Sequence, residues 1–165
     1  MLITTLASLV GVLLFLAVMM WATISDIRSR RVPNWLIGAL TLCYPPLALA
    51  SGAETHEVVL GFFSAAALLG AGMYCFSRGW VSAGGVKLLA VSALWLGIGL
   101  VPGLVILSGF FGLLILLATR VGMNLSARAG QGHVILPSNG IPYGPAVAGA
   151  ALLLLQTSHW TEALT

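Results

Sequence analysis

Asp26 and Lys87 are the two residues whose type and setting point to chemistry. Asp26 lies in Ser25-Asp26-Ile27-Arg28-Ser29-Arg30-Arg31-Val32-Pro33-Asn34, directly after residues 1–25, which carry no charge. Lys87 lies in Val81-Ser82-Ala83-Gly84-Gly85-Val86-Lys87-Leu88-Leu89-Ala90, a small-residue run that opens an apolar stretch. A positioned carboxylate can take a proton and give it back, and glycines let another backbone come close. Each feature also has a plainer reading. Asp26 can be an interfacial carboxylate paired with a neighbouring arginine, and Lys87 can simply extend its ammonium to a membrane interface.

The other reactive side chains form no pattern. Cys43 and Cys75 have neither CxxC nor zinc spacing and are expected to be buried, unreactive thiols. His56, His133 and His159 are far apart and follow no ligand spacing, so neither a metal site nor a cofactor is expected. The remaining acids are Glu54, Glu57 and Glu162.

The elements that must position Asp26 and Lys87 follow from composition. Of 165 residues, 59% are hydrophobic and 7% charged, against roughly a quarter charged in an ordinary soluble domain. So little polar surface cannot coat a globule, and the chain is expected to be a multi-pass membrane protein whose first partner is the lipid bilayer. Its seven basic residues are scattered between apolar runs and make no face for nucleic acid. The expected fold is all-α, one domain over 1–165. Six spans are expected near residues 6–24, 35–50, 58–76, 86–101, 104–119 and 141–155. The first is retained, since its basic residues follow the apolar run instead of preceding it. Pro33 starts the second span, Pro45-Pro46 bend or end it, and Pro102-Gly103 turn the chain before the fifth. Residues 120–140 form the longest polar stretch, and residues 156–165 a short tail.

Orientation follows from the basic residues. With both termini outside, Arg28, Arg30, Arg31, Arg78, Lys87, Arg120 and Arg128 all fall on the inner side, and Glu54, Glu57 and Glu162 on the outer. Asp26 and the glycine run then share the inner face. An ionisable group at that depth is costly to hold and usually has a role.

Three segments resemble motifs of the prepilin peptidases, the polytopic aspartic proteases of type IV pilus systems. Asp26 to Asn34 is similar to D-x-R-x-x-x-(I/V)-P-N. Val86-Lys87-Leu88-Leu89 is similar to the end of G-x-G-D-x-K-L-L. Gly140-Ile141-Pro142-Tyr143-Gly144-Pro145-Ala146 is similar to the closing I-P-Y-G-x-A. The compact length resembles the short forms that serve tight-adherence (Flp-type) pili. The resemblance implies a bacterial inner-membrane protease that cuts prepilin leaders at the cytoplasmic face. It implies a catalytic pair of aspartates, one at Asp26, with Lys87 nearby to orient a carboxylate or contact substrate. It also implies that Arg28, Pro33, Asn34, Gly84, Pro142, Tyr143 and Gly144 bind substrate or shape the site. Pro142 and Tyr143 can equally begin and anchor a helix.

Peptide hydrolysis by water needs one group to take a proton and one to give one, and two carboxylates sharing a proton supply both. This chain departs from the pattern where it matters: Gly85 stands where the resemblance places the second aspartate, and Ser82 where it places a glycine. The expectation is therefore a peptidase that is inactive or impaired as it stands. The alternatives are a non-catalytic prepilin-binding or assembly protein, a homodimer that brings two Asp26 together across a two-fold axis, and a small transporter. The expected span centres hold no ionisable residue, which weighs against transport.

Overall fold

The computed structural model describes residues 1–29, 32–128 and 143–162. Among these the chain is all-helical: α1 (Leu2–Ser29), α2 (Asn34–Ala50), α3 (Thr55–Ser77), α4 (Ala83–Leu96), α5 (Val101–Arg128), α6 (Gly144–Leu155) and the short α7 (His159–Glu162). A single 3-10 turn, Ile98–Leu100, joins α4 to α5. Among the described residues three segments are long and apolar enough to cross a membrane: Leu2–Ser29, Thr55–Ser77 and Ile98–Gly122. The helices α2, α4 and α6 are apolar but shorter. At 1.5 Å per residue α4 rises about 21 Å and α6 about 18 Å, less than the roughly 30 Å of hydrocarbon.

The centre is α4. Gly84, Gly85, Val86, Leu88 and every residue from Ala90 to Leu96 are buried, and α3, α6, α2 and α5 all pack on it. A helix apolar on every side must be enclosed on every side. The outer helices show the opposite pattern. Ile106, Phe110, Leu113, Leu114 and Leu117 of α5 are exposed, as apolar side chains are when lipid, not water, is the surrounding solvent.

The core is an aromatic cluster near the end of the bundle remote from Asp26. Trp95 stacks on Trp160 at 5.0 Å between ring centroids and also meets Phe15 and Tyr44. Trp95 Nε1 donates to Leu40 O and Trp160 Nε1 to Trp95 O, at 3.2 and 2.7 Å. The second bond has a clear cause. Gly97, at φ +81°, ends α4 and leaves its last carbonyls without intrahelical donors, and Trp160 supplies one. The expected tail is thus part of the core, with Trp160 fully buried.

Other boundaries also differ from expectation. The turn before α5 falls at Gly97, while Pro102 sits in the first turn of α5, where its missing N–H has no intrahelical partner to lose. Helix α5 runs on to Arg128 instead of stopping near 119, because a single arginine at 120 ends the uncharged run without ending the helix, and no proline follows it before Arg128. Helix α2 keeps its expected end at Ala50, with Pro45 and Pro46 inside it and Leu40, Tyr44 and Ala48 pinned in the core on either side of them. The thiols of Cys43 and Cys75 are free and half-buried, not buried.

Candidate active site

Asp26 enters the bundle because it lies on the buried stripe of α1. Gly11, Phe15, Val18, Met19, Ala22 and Asp26 recur every three or four residues and all face inward. Asp26 is 0% exposed, three residues before α1 ends. The first turns of α4 and α6 meet it there.

Two glycines make the room. A Cβ at Gly144 would stand 2.7 Å from Asp26 Oδ2 and 2.9 Å from Asp26 Cβ. A Cβ at Gly84 would stand 3.3 Å from Asp26 Oδ1 and 3.0 Å from Val32 Cγ2. The backbone N–H of Gly144 donates to Asp26 Oδ2 at 2.8 Å. That N–H belongs to the first turn of α6, where no intrahelical acceptor exists. The carboxylate of α1 therefore caps α6 and faces the positive end of its dipole.

Gly85 faces elsewhere. A Cβ there would stand 2.8 Å from both Cβ and Cδ1 of Tyr143 and 3.2 Å from Ser82 Oγ. The Tyr143 ring continues past Gly112 of α5, where a Cβ would meet Cε2 at 2.5 Å. Its hydroxyl donates to Ser108 Oγ over a long 3.4 Å. The ring thus occupies a slot between two glycines, and one of them is the position the motif assigns to an aspartate. Ser82, the other departure from the motif, is the N-cap of α4, its Oγ accepting from Gly85 N at 3.2 Å. This is the ordinary use of serine at a helix start.

The remaining candidates divide. Lys87 Nζ donates to Asn34 Oδ1 at 2.7 Å, tying the first turn of α4 to that of α2. Pro33 is the N-cap of α2, in extended conformation. Arg28 is exposed in the last turn of α1, where a cation suits the helix dipole. Pro142, Arg30 and Arg31 lie outside the described residues. Asp26, Gly84 and Gly144 come into contact, with Gly85 and Tyr143 adjoining them; Lys87 and Asn34 form a separate pair.

No second acid of the described helices is near. Gly72 of α3 lies against Val86, so Glu57, fifteen residues earlier, is about 22 Å away along that helix. Helix α7, which carries Glu162, is held by Trp160 against Gly11, also about 22 Å from Asp26 along α1. A cavity of about 290 Å³ beside Tyr44, Glu57, Gly97 and His159 lies at that remote end and does not touch Asp26. Among the described residues no cluster of His, Cys, Asp or Glu could hold a metal. One carboxylate can take or give a proton, but it cannot fill both roles in the same step.

Sequence reasoning missed Ser108 and Gly112, which complete the tyrosine slot. Nothing in their local sequence marks them, because the slot exists only where α5 meets α6.

The model of one known family, described as the type IV leader peptidase family, matches residues 13–117, which include Asp26, Gly85 and Lys87. Neither the curated proteins nor the solved structures give a match.

Proposed function

The chain belongs to the type IV leader peptidase family, and on that premise we propose that it is built around an aspartyl site for prepilin leaders, with Asp26 as the retained carboxylate. The observation that carries this reading is the enclosure of Asp26. A fully buried carboxylate, capped by Gly144 N–H and flanked by glycines of two other helices, is held for more than topology. In the complete chemistry one carboxylate would draw the proton from water as it attacks the scissile carbonyl. The other would protonate the departing amine. Here the second role is unfilled, so the chain as it stands is inactive or strongly impaired.

The proposed topology is six spans with both termini outside, so that Asp26, Lys87 and the basic residues face the cytoplasm of a bacterial inner membrane. Its support is the common end of the bundle shared by the end of α1 and the starts of α2, α4 and α6, together with the one-sided distribution of basic residues. The substrates proposed are type IV prepilins, in keeping with the matched family. A second reading, a protein that holds prepilins without cutting them, is favoured by the Tyr143 ring lying where a side chain at 85 would go. A dyad made from two copies finds no support, since Asp26 is enclosed within its own bundle.

The test is incubation of detergent-solubilised Gly85→Asp protein with a prepilin carrying its leader. Leader release supports the aspartyl site. Stable binding with no release by the restored form favours the holding reading.

A further inference from the structure

An apolar groove lies between α2, α3 and α4. Helices α2 and α3 both pack on α4 but touch each other little, so they splay and leave a strip of α4 between them. The groove has a volume of about 460 Å³ and is lined by Ile37 of α2, Ala65, Ala66 and Leu69 of α3, and Ala90 and Val91 of α4. It runs along α4 from Lys87 to Leu94, a rise of about 10 Å. Ala66 and Leu69 are exposed, so the groove opens sideways on the outer surface of the bundle.

Its two ends differ in chemistry. The remote end is apolar, at Phe62 and Leu94; the end nearest Asp26 holds Lys87 and Asn34. The Lys87 ammonium donates to a neutral amide oxygen, and among the described residues its side chain forms no ion pair. A half-buried cation meeting only a neutral group is a place for an anion. An apolar trough along the helices, closed at one end by such a cation, matches one amphiphile: an acyl chain with an anionic phosphate headgroup.

We propose that the α2–α3–α4 groove binds one anionic phospholipid, its acyl chain along Ala66, Ala90 and Val91 and its phosphate on Lys87. Basic pockets between membrane helices recognise phosphate headgroups in this way. The alternative occupant, an apolar segment of a protein substrate, would fill the trough but would give Lys87 no fixed partner. The lipid site does not depend on whether the chain cuts prepilins.

The test is native mass spectrometry of the delipidated, detergent-solubilised protein titrated with palmitoyl-oleoyl phosphatidylglycerol, and separately with phosphatidylcholine of the same chains. One phosphatidylglycerol should bind with preference, and Lys87→Gln should weaken it about fivefold while leaving phosphatidylcholine unchanged. Ala66→Phe fills the trough from an exposed position, so the fold should survive it, and it should abolish the preferred site. A photoactivatable diazirine on the acyl chain should label peptides containing Ala65–Leu69 and Ala90–Leu94. Equal binding of the two lipids, indifference to Lys87→Gln, or unchanged binding in a folded Ala66→Phe protein would each overturn the proposal.

Discussion

Adding a single methyl group at position 85 should destabilise this protein, although alanine is the better helix former. In a helix interior Gly→Ala is worth up to about 1 kcal/mol in favour of alanine, and residue 85 lies in the first turn of α4 at ordinary helical dihedrals. Against that gain, the new Cβ meets Tyr143 Cβ and Cδ1 at 2.8 Å. These atoms are the stem of the tyrosine side chain, not its flexible tip, and the ring beyond them is blocked by Gly112. Overpacking of this kind costs about 1–3 kcal/mol, so Gly85→Ala should lower the melting temperature by up to roughly 8 °C once the helix gain is subtracted. Gly85→Asp carries the same Cβ plus a carboxylate taken from water into the slot that the Tyr143 ring fills, and should melt lower still. The assay is thermal unfolding in one detergent, followed by intrinsic fluorescence, for both variants alone and with Tyr143→Ala. Removing the ring should recover most of the alanine penalty, a coupling of at least about 1 kcal/mol. A Gly85→Ala protein that melts at or above the parent, with no coupling to position 143, would refute the slot.

Gly144→Ala should fail more severely, because its Cβ would meet the enclosed Asp26 side chain at 2.7–3.1 Å; at least about 2 kcal/mol of lost stability is expected, read as a lower thermal midpoint. Ser82→Ala should cost about 1 kcal/mol by removing the cap on Gly85 N–H, whereas Ser82→Gly should cost only a few tenths, so the two midpoints should separate clearly. Trp160→Ala should cost about 3–5 kcal/mol, since it empties a fully buried site and strips Trp95 O of its donor. A deletion of the last ten residues should unfold the protein to a similar degree.

The candidate site is easier to single out in the sequence than the ends of the helices around it. Asp26 could be singled out because it is the one acid among basic residues at the end of a long uncharged run, and the three-to-four-residue spacing that turns it inward is equally plain once α1 is known to be a helix. Gly85 was legible only against a motif, as a residue type that should have been another. What the motif could not convey is direction: Gly84 faces Asp26, while Gly85, one residue on, faces Tyr143. A helix turns by about 100° per residue, so adjacent positions of one motif point at different partners. Helix ends are less legible, because hydropathy reports where lipid should stop, not where backbone hydrogen bonding stops. Thus α5 continues through Arg120, and Trp160 folds back from a stretch whose average is polar. The slot formed by Gly85, Gly112 and Tyr143 joins three helices far apart in sequence, and no local window contains it.

The central claim is that Asp26 is half of a two-carboxylate site and that Gly85 is the vacancy, which an aspartate can fill only if the Tyr143 ring gives way. Single-turnover cleavage of one prepilin by the parent, Gly85→Asp, and the Gly85→Asp, Asp26→Asn double variant tests it most directly, with enzyme in excess and at a temperature where all three are folded. The restored protein should release the leader at least about a hundredfold faster than the parent, the usual scale of one acid–base partner, and the double variant should fall back to the parental rate. Equal cleavage by parent and restored protein, or cleavage that survives Asp26→Asn, would contradict the account.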